Sequence, residues 1–197
     1  MKKNTVEKVE LKIDKIQVRL ESLSDIMFDR FIDHSKDKRP AEQKFYLGAQ
    51  NKVVFPATNI KYFLFGENPP GCAKSMEGKK GKGYIQTGCG HVFVQPSLVP
   101  FLDNKEKEIL FKEFDGAKFR VDKDSGRTKQ GSLSIKQEAK DRPVLCHPWI
   151  LEFEITIVEN ILIDSTKLYN WFCKGGLLVA LGTHRPEYGR FTVTKWE

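Results

Sequence analysis

The chain has 197 residues, of which 40% are hydrophobic and 30% are charged. This composition excludes an intrinsically disordered protein, and a chain of this length can bury a core without disulfide bonds or a metal. Its 33 Lys and Arg exceed its 26 Asp and Glu, and the net charge of +7 favours a polyanionic partner. Without a secretory signal or an apolar run of roughly 20 residues, we expect a cytoplasmic protein, no membrane association and reduced cysteines.

The N-terminal third predicts a strand, a long polar segment and a helix. Val9–Leu20 alternates as a strand, but the apolar phase changes at Ile16, which predicts a bulge or a junction of two strands. Glu21–Gly48 is polar and predicts a long loop with some helical turns. Val53–Phe55 predicts a short strand, and Pro56–Gly66 has the apolar spacing of a helix that begins at the proline.

The middle of the chain is predicted to be mostly loop. Cys72–Gly90 is rich in Gly and Lys and predicts a mobile basic loop. Val92–Val94 and Phe119–Val121 predict short strands, and Phe101–Phe114 has a helical or mixed pattern. Asp122–Arg142 is polar and predicts a second basic loop.

The C-terminal third contains the clearest strand and a helix. Apolar residues occupy alternate positions of Trp149–Val158, as expected for a sheet with one buried face. Asp164 or Ser165 can cap a helix that contains Leu168 and stops at Gly175-Gly176.

The chain then predicts two last strands around a tight turn. Leu177–Leu181 reads as a buried strand, Gly182–Gly189 as a tight polar loop and Arg190–Val193 as a short strand. The order of elements predicts an α+β fold with a ferredoxin-like (RRM-like) antiparallel sheet and two helices on one face. Long basic insertions are expected at about residues 21–50, 67–91 and 122–143.

Four short segments, taken together, resemble a known family. Phe55–Leu64, FPATNIKYFL, looks like a Pro-x-Ser-Ser-Leu-Lys-Gly helix start, and Leu181–Phe191, LGTHRPEYGRF, looks like a C-terminal glycine-rich loop. Both features are those of the RAMP superfamily, the ferredoxin-fold RNA-binding subunits of CRISPR effector complexes. The second segment is more similar still to a Gly-x-x-Arg-Pro-x-x-Gly-Arg-Phe tail of small phage and prophage proteins. Asp25–Phe31 and Arg142-Pro143 match further marks of those proteins.

The resemblance implies a single RAMP-like domain over residues 1–197 that binds RNA or another single-stranded nucleic acid. It implies a protein encoded by a phage or mobile element and located in the host cytoplasm, where it acts as an anti-CRISPR or RNA-sequestering factor. Related subunits assemble side by side, so the expected protein partners are a homo-oligomer or CRISPR-type subunits. The alternatives are a RAMP-type endoribonuclease and a protein-binding phage factor without nucleic acid.

The glycine-rich loop offers groups that suit a nucleic acid. Closely spaced glycines let backbone N–H groups approach an anion, and Arg185 and Arg190 can donate bidentate hydrogen bonds to phosphate. His184 and Tyr188 offer ring faces for base stacking. We expect Arg185, which lies in the middle of the loop, to be freer than Arg190 to bind phosphate. The alternative is a tight connection whose arginines pair with carboxylates such as Glu187.

Basic residues elsewhere are further candidates for phosphate contacts, because lysines and arginines in flexible loops displace counterions from a nucleic acid. The alternative is a solvated charged surface without a ligand. The candidates are Lys61, Lys74, Lys79, Lys80, Lys82, Arg127 and Lys129.

Catalytic and metal sites are weakly indicated. Asp25 precedes Arg30 by five residues, a spacing similar to that in target-cleaving backbone subunits of type III CRISPR complexes, so Asp25 is the candidate for the endoribonuclease alternative. A turn-capping role for Asp25 is the simpler interpretation. Zinc ligands can be drawn from Cys72, Cys89 and His91 with Cys146, His147 or Cys173, but no Cys-x-x-Cys pair is present. We therefore expect no metal and no cofactor, and we do not predict an enzyme.

Overall fold

The protein has an α+β fold with antiparallel sheets. The structure, a computed structural model, describes residues 11–30, 39–124 and 140–197. The strands are β1 Ile13–Ser22, β2 Ile26–Met27, β3 Val54–Pro56, β4 Val92–Gln95, β5 Leu98–Leu102, β6 Phe119–Asp124, β7 Lys140–Leu145, β8 Ile150–Val158 and β9 Phe191–Trp196. The helices are α1 Ala57–Phe65, α2 Cys72–Glu77, α3 Gly81–His91 and α4 Ser165–Leu178.

The larger sheet is built around β8 and β1. These strands pair antiparallel from Ile13 opposite Val158 to Glu21 opposite Ile150, without a break in register. β9 pairs with the other edge of β1. The other edge of β8 is shared, because β4 pairs with its C-terminal half and β5 pairs with its first residues. The widest part of the sheet therefore has the order β4-β8-β1-β9.

The phase change predicted in the first strand has a simpler origin than a bulge. Apolar residues of Ile16–Leu20 are buried, whereas Leu11 and Ile13 are 61% and 54% exposed. Because the register with β8 is continuous from Ile13 onward, the exposed Ile13 lies on the outer face of the sheet and Leu11 precedes the strand, so the bulge or junction predicted at this point was wrong. The register does shift on the β9 side, just after Arg19. Val9 lies outside the described residues.

Helices α1 and α4 pack on the same face of this sheet. Phe63 of α1 lies 5.4 Å from Phe172 of α4, measured between ring centroids. Phe172 also lies 6.0 Å from Phe153 of β8, and Phe63 lies 5.5 Å from Phe191 of β9. These contacts place both helices over β8 and β9, in agreement with the predicted arrangement of two helices on one face.

Helix α4 continues through the glycine pair that was predicted to end it. A Cβ atom on Gly175 would lie 2.5 Å from Sγ of Cys72, and one on Gly176 would lie 2.4 Å from the carbonyl oxygen of Phe191. The glycines therefore allow close packing inside the helix. Because the helix takes up two more residues, the predicted strand over Leu177–Leu181 does not form.

The segment predicted as a mobile basic loop, Cys72–Gly90, is mostly helical. Ala73 of α2 is fully buried, and Tyr84 of α3 packs edge-on against Trp171 at 5.5 Å. Gly88 lies so close to an aromatic ring of α1 that a Cβ atom would be 2.2 Å from it. Small and aromatic residues at helical spacing give these helices a buried side, which overrides the low helix propensity of glycine.

A smaller sheet, β2-β7-β6, packs beside the larger one. Phe45 packs against the smaller sheet, with ring centroids 5.2 Å from Phe28, directly after β2, and 5.7 Å from Phe119 of β6. Phe28 in turn lies 5.7 Å from Phe101 of β5 in the larger sheet. The helix suggested by the helical or mixed pattern of Phe101–Phe114 does not form, since β5 ends at Leu102 and the following residues are irregular. Strand β2 falls within the first predicted insertion, and β7 begins within the third and extends beyond it, so those segments are partly regular.

None of the helices in the described part of the chain combines the length and the apolar character required to cross a bilayer.

Candidate nucleic-acid interface

A cavity of about 360 Å³ opens where the first turns of α1 meet the loops after β2 and α4. Its walls combine aromatic rings with a few polar side chains, which is typical of small-ligand sites. The lining residues are Phe28, Asp29, Tyr46, Phe55, Asn59, Tyr62, Phe63, Asn68, Pro69, Leu181, Gly182, Thr183 and Arg185.

The segments that carry the family resemblance meet at this cavity. Phe55–Leu64 contributes Asn59 and Tyr62 among others, and Leu181–Phe191 contributes Thr183 and Arg185 among others. Asp25–Phe31 contributes Phe28 and Asp29. Arg142, from the fourth segment, donates from Nε to Asp29 Oδ2 at 3.0 Å. Residues that are far apart in the sequence thus form or support one site.

Glycines with positive φ shape the loop that forms one wall. Gly182 and Gly189 both have φ of 76°, a conformation that favours glycine. A Cβ atom on Gly189 would lie 2.0 Å from the carbonyl oxygen of Leu181, so this position also requires glycine for space. The Thr183 N–H donates to the Met27 carbonyl at 3.0 Å, which holds the loop beside β2.

Arg185 lies deeper than expected. It lines the cavity, and its Nη1 lies 3.5 Å from the Ala180 carbonyl oxygen. Burial lowers the pKa of Arg185, against the opposing effects of Tyr62 and Cys72. Arg190 is the exposed arginine of the loop, so the expectation that Arg185 is the freer of the two was wrong. The reason is that the loop folds back toward the helices and carries Arg185 inward.

His184 and Tyr188 pack on each other. Their ring centroids are 5.7 Å apart in an edge-on arrangement, and both side chains are half-buried. The Tyr188 hydroxyl donates to Asp122 Oδ2 at 2.7 Å. Burial raises the pKa of Tyr188, and the hydrogen bond to Asp122 adds to the increase. Tyr188 therefore joins the loop to β6, and this contact occupies its hydroxyl group.

Asp25 uses both carboxylate oxygens within the protein. Oδ1 accepts from the His147 N–H at 2.7 Å, and Oδ2 forms an ion pair with Arg120. A catalytic base must reach the proton that it removes. The contacts of Asp25 instead connect the turn after β1 to β6 and to the residues before β8, which agrees with the simpler, structural interpretation of this residue.

The candidate lysines of α2, of α3 and of the short turn between them form an exposed basic surface, which begins at Lys74 beside a loop of the cavity wall. Lys74 Nζ donates to the Glu67 carbonyl at 3.0 Å, in the loop that supplies Asn68 and Pro69 to the cavity wall. Arg127 and Lys129 lie outside the described residues. The exposed lysines, called the lysine surface below, are Lys74, Lys79, Lys80 and Lys82.

Lys61 is not among the residues that line the cavity. Its Nζ donates to the Cys89 carbonyl at 3.0 Å and lies 5.3 Å from the centre of the Phe93 ring. These contacts connect α1 to the end of α3 and to β4, so Lys61 lies on another side of the helix from Tyr62.

The outer face of the sheet lacks the character of an RRM surface. RRM domains stack bases on aromatic side chains of their central strands. Here Arg19 of β1 forms an ion pair with Glu152 of β8, and Gln17 donates to Glu154 at 2.9 Å. The hydrogen bond to Glu152 raises the pKa of Arg19. Paired charges therefore occupy the central strands of this face, and the cavity is the better candidate interface.

Asp29, Asn59, Tyr62 and Thr183 are site residues that the sequence analysis did not select. No local signal marked Asp29, because Asp29 and the exposed Arg30 stand side by side between Phe28 and Phe31 in the chain. A buried charge needs a partner. The partner, Arg142, is more than a hundred residues away, so the sequence alone did not reveal the pair.

The cysteine and histidine candidates do not form a metal site within residues 11–30, 39–124 and 140–197, where His, Cys, Asp and Glu form no group of three or more suited to a metal. Cys72 is fully buried, and burial raises the pKa of its thiol. Cys89, by contrast, is exposed at the end of α3.

A scan against protein-family models and a search of curated proteins each returned no match for the chain.

Proposed function

We propose that the protein binds single-stranded nucleic acid, with RNA as the preferred ligand, and that it resembles the backbone subunit of CRISPR effector complexes. The observation that carries the proposal is the meeting of the four resembling segments at one cavity. Each of these segments has a residue that lines the cavity or pairs with a lining residue: Tyr62, Arg185, Asp29 and Arg142.

The chemistry of the cavity supports this ligand. Tyr62 is 43% exposed at the rim and offers a ring on which a base can stack. Arg185 supplies N–H donors for phosphate or base oxygens. The lysine surface begins next to the cavity and extends the positive field along α2 and α3, where it can follow a backbone of phosphates.

The topology supports a ferredoxin-like identity for the fold. β1 and β4 both run antiparallel to β8, which lies between them, and α1 belongs to their connection. β8 and β9 both run antiparallel to β1, which lies between them, and α4 connects them. Each helix thus joins two parallel strands that are separated by a third, which is the split βαβ unit of a ferredoxin-like fold. The remaining strands and α2 and α3 are additions to that core.

The biological role that we propose rests on the resemblance alone. It is that of a phage- or mobile-element-encoded protein that sequesters RNA or acts as an anti-CRISPR factor in the host cytoplasm. Its proposed protein partners are further copies of this chain or CRISPR-type subunits. The ratio of nucleic-acid to protein ultraviolet absorbance, measured on the salt-washed protein, shows whether nucleic acid is bound. Sequencing of that nucleic acid then tests this part of the proposal.

Fluorescence anisotropy with a labelled single-stranded RNA tests the binding itself. If the lysine surface contacts four phosphates, affinity should fall about fifty-fold between about 50 and 200 mM salt, because each contact to a single strand contributes about −0.7 to the logarithmic slope. Replacing its four lysines by alanine should flatten that slope. The control replaces four other exposed lysines: Lys12, Lys105, Lys107 and Lys112. Equal weakening by both sets, or no binding at low salt, would contradict the proposal.

A pair of tyrosines tests the cavity. Tyr62→Ala should weaken RNA binding about tenfold or more, because stacking of one base on an aromatic ring is worth about 1–3 kcal/mol. Tyr169→Ala is the control, since Tyr169 on α4 is 41% exposed, compared with 43% for Tyr62, and does not line the cavity. If the two substitutions have the same effect, the cavity is not the binding site.

A further inference from the structure

The cavity contains a buried carboxylate with an unused hydrogen-bonding atom. The Asp29 side chain is only 2% exposed, and its Oδ2 accepts from Arg142 Nε at 3.0 Å. Its Oδ1 is buried, and within the described ranges of the chain it has no hydrogen-bond partner. Buried polar atoms are normally paired, and leaving a charged one unpaired costs free energy. A ligand that presents an N–H donor to Asp29 would supply the missing bond.

The charge of Asp29 restricts what can occupy this end of the cavity. A carboxylate oxygen only accepts hydrogen bonds and repels an anion, so a phosphate group is disfavoured beside it. Arg185 lines the same cavity with a guanidinium group that has five N–H donors, and it can therefore donate to a ligand as well as to the protein. The cavity thus offers an acceptor and a planar set of donors, surrounded by aromatic rings such as Tyr46 and Phe55.

We propose that the cavity holds one unstacked guanine of the bound strand, an inference that rests on the proposed function. Guanine has N–H groups that can donate hydrogen bonds to Asp29 Oδ1. It also has the O6 and N7 acceptors, to which an arginine can donate two hydrogen bonds at once. Cytosine offers an amino donor for a carboxylate but lacks the O6 and N7 pair. The volume of about 360 Å³ lies within the range of about 300–1,000 Å³ found for small-ligand pockets.

A series of RNA strands tests the inference on the unaltered protein. Each labelled strand is oligouridine with one central G, A, C or 7-deazaguanosine, and the unsubstituted strand is the reference. We expect the strand with G to bind about tenfold more tightly than the others, including 7-deazaguanosine, which lacks the N7 acceptor. Equal affinities for all strands, or a preference for C, would overturn the guanine assignment while leaving RNA binding in place.

Two substitutions assign the preference to Asp29. Asp29→Asn replaces the carboxylate that faces the ligand, and Asp141→Asn, at an exposed position that does not line the cavity, is the matched control. We expect Asp29→Asn to abolish the preference for G and Asp141→Asn to retain it. If Asp29→Asn keeps the preference, or if both variants lose it, Asp29 does not read the base. Circular dichroism checks folding, and if Asp29→Asn does not fold, the strand series on the unaltered protein decides.

If no strand binds, the proposed function fails, and calorimetry with the four nucleoside monophosphates then tests the cavity separately. Selective binding of GMP would support a guanine site in a protein that does not bind RNA. Absence of selective binding would overturn both proposals.

Discussion

Arg120 joins three parts of the chain through one guanidinium group. It pairs with Asp25 in the turn after β1, and its Nε and Nη2 both donate to Asp122 of β6 at 2.9 Å. Its hydrogen bonds lower the pKa of Asp122, which in turn accepts from Tyr188 of the glycine-rich loop. Residues that the sequence suggested as functional, Asp25 and Tyr188, thus position the loop that forms the cavity wall.

Removal of the Asp25 carboxylate should therefore destabilise the protein. Asp25→Ala leaves Arg120 without one partner and the His147 N–H without its acceptor, so we expect the free energy of unfolding to fall by about 1–3 kcal/mol. Urea denaturation measures this change, with the exposed Asp141 replaced by Ala as a control that should alter stability by less than about 0.5 kcal/mol. Unchanged stability together with loss of an RNA-cleaving activity would instead favour the endoribonuclease alternative.

Glu77 should make stability depend on acidic pH. Burial disfavours its charge, but hydrogen bonds from Trp171 Nε1 at 3.0 Å and Lys167 Nζ at 3.1 Å lower its pKa overall. An unfolded Glu titrates near about pH 4.3, so Glu77 contributes stability above that pH, and the contribution is lost as the pH falls through its lower folded pKa.

We expect Glu77→Gln to reduce the free energy of unfolding by about 1 kcal/mol at neutral pH and by progressively less as the pH is lowered below about 4. Thermal unfolding across this range measures the effect. The exposed Glu113→Gln is the matched control. A difference that persists unchanged in acid would show that the charge of Glu77 is not the cause.

At the scale of elements, the sequence correctly predicted the strands and helices whose hydrophobic pattern fits only one type of secondary structure. The alternation of Trp149–Val158 and the helical spacing after Pro56 led to β8 and α1 because burial on one face is visible in the period. The segments Gly175-Gly176 and Cys72–Gly90 were misread. Glycine both ends helices and allows two elements to approach closely, and only the tertiary contacts distinguish the two roles.

The candidate site was predictable to a similar extent. The sequence identified the glycine-rich loop and Arg185, because glycine and arginine at close spacing indicate anion binding. It did not identify Asp29, whose partner Arg142 and whose cavity exist only after β2, α1 and the loop after α4 have come together. Spacing along the chain carries no information on a contact of this kind.

The close contacts of α4 predict an unusual response to alanine. In an isolated helix, Gly→Ala stabilises by about 1 kcal/mol. Gly176→Ala should instead destabilise by about 1–3 kcal/mol, because its Cβ would lie 2.4 Å from the Phe191 carbonyl oxygen. Gly83→Ala in α3 is the control, since its nearest neighbour would be a Leu162 methyl at 3.8 Å, and we expect it to stabilise. Chemical denaturation of both variants measures the difference, and a stabilising Gly176→Ala would contradict the packing described here.

At the scale of the whole molecule, a chain of aromatic rings links the two sheets. Phe119 of the smaller sheet contacts Phe45, which contacts Phe28 at 5.2 Å. Phe28 contacts Phe101 of the larger sheet at 5.7 Å, and Phe101 contacts Trp149 at 5.6 Å. Since the cavity lies against Phe28, its walls depend on both sheets being folded together.

This continuous core predicts that the two sheets unfold in one transition. Phe45 is 1% exposed, and Phe45→Ala should lower the free energy of unfolding by about 3–5 kcal/mol. Tryptophan emission reports on the larger sheet and its helices, through Trp149, Trp171 and Trp196, whereas far-ultraviolet circular dichroism reports on all elements. Both signals should move to a lower urea concentration by the same amount, while Phe93→Ala, at a 43% exposed position, should move them little. A tryptophan transition that stays in place while the circular dichroism signal becomes biphasic would mean that the sheets unfold separately.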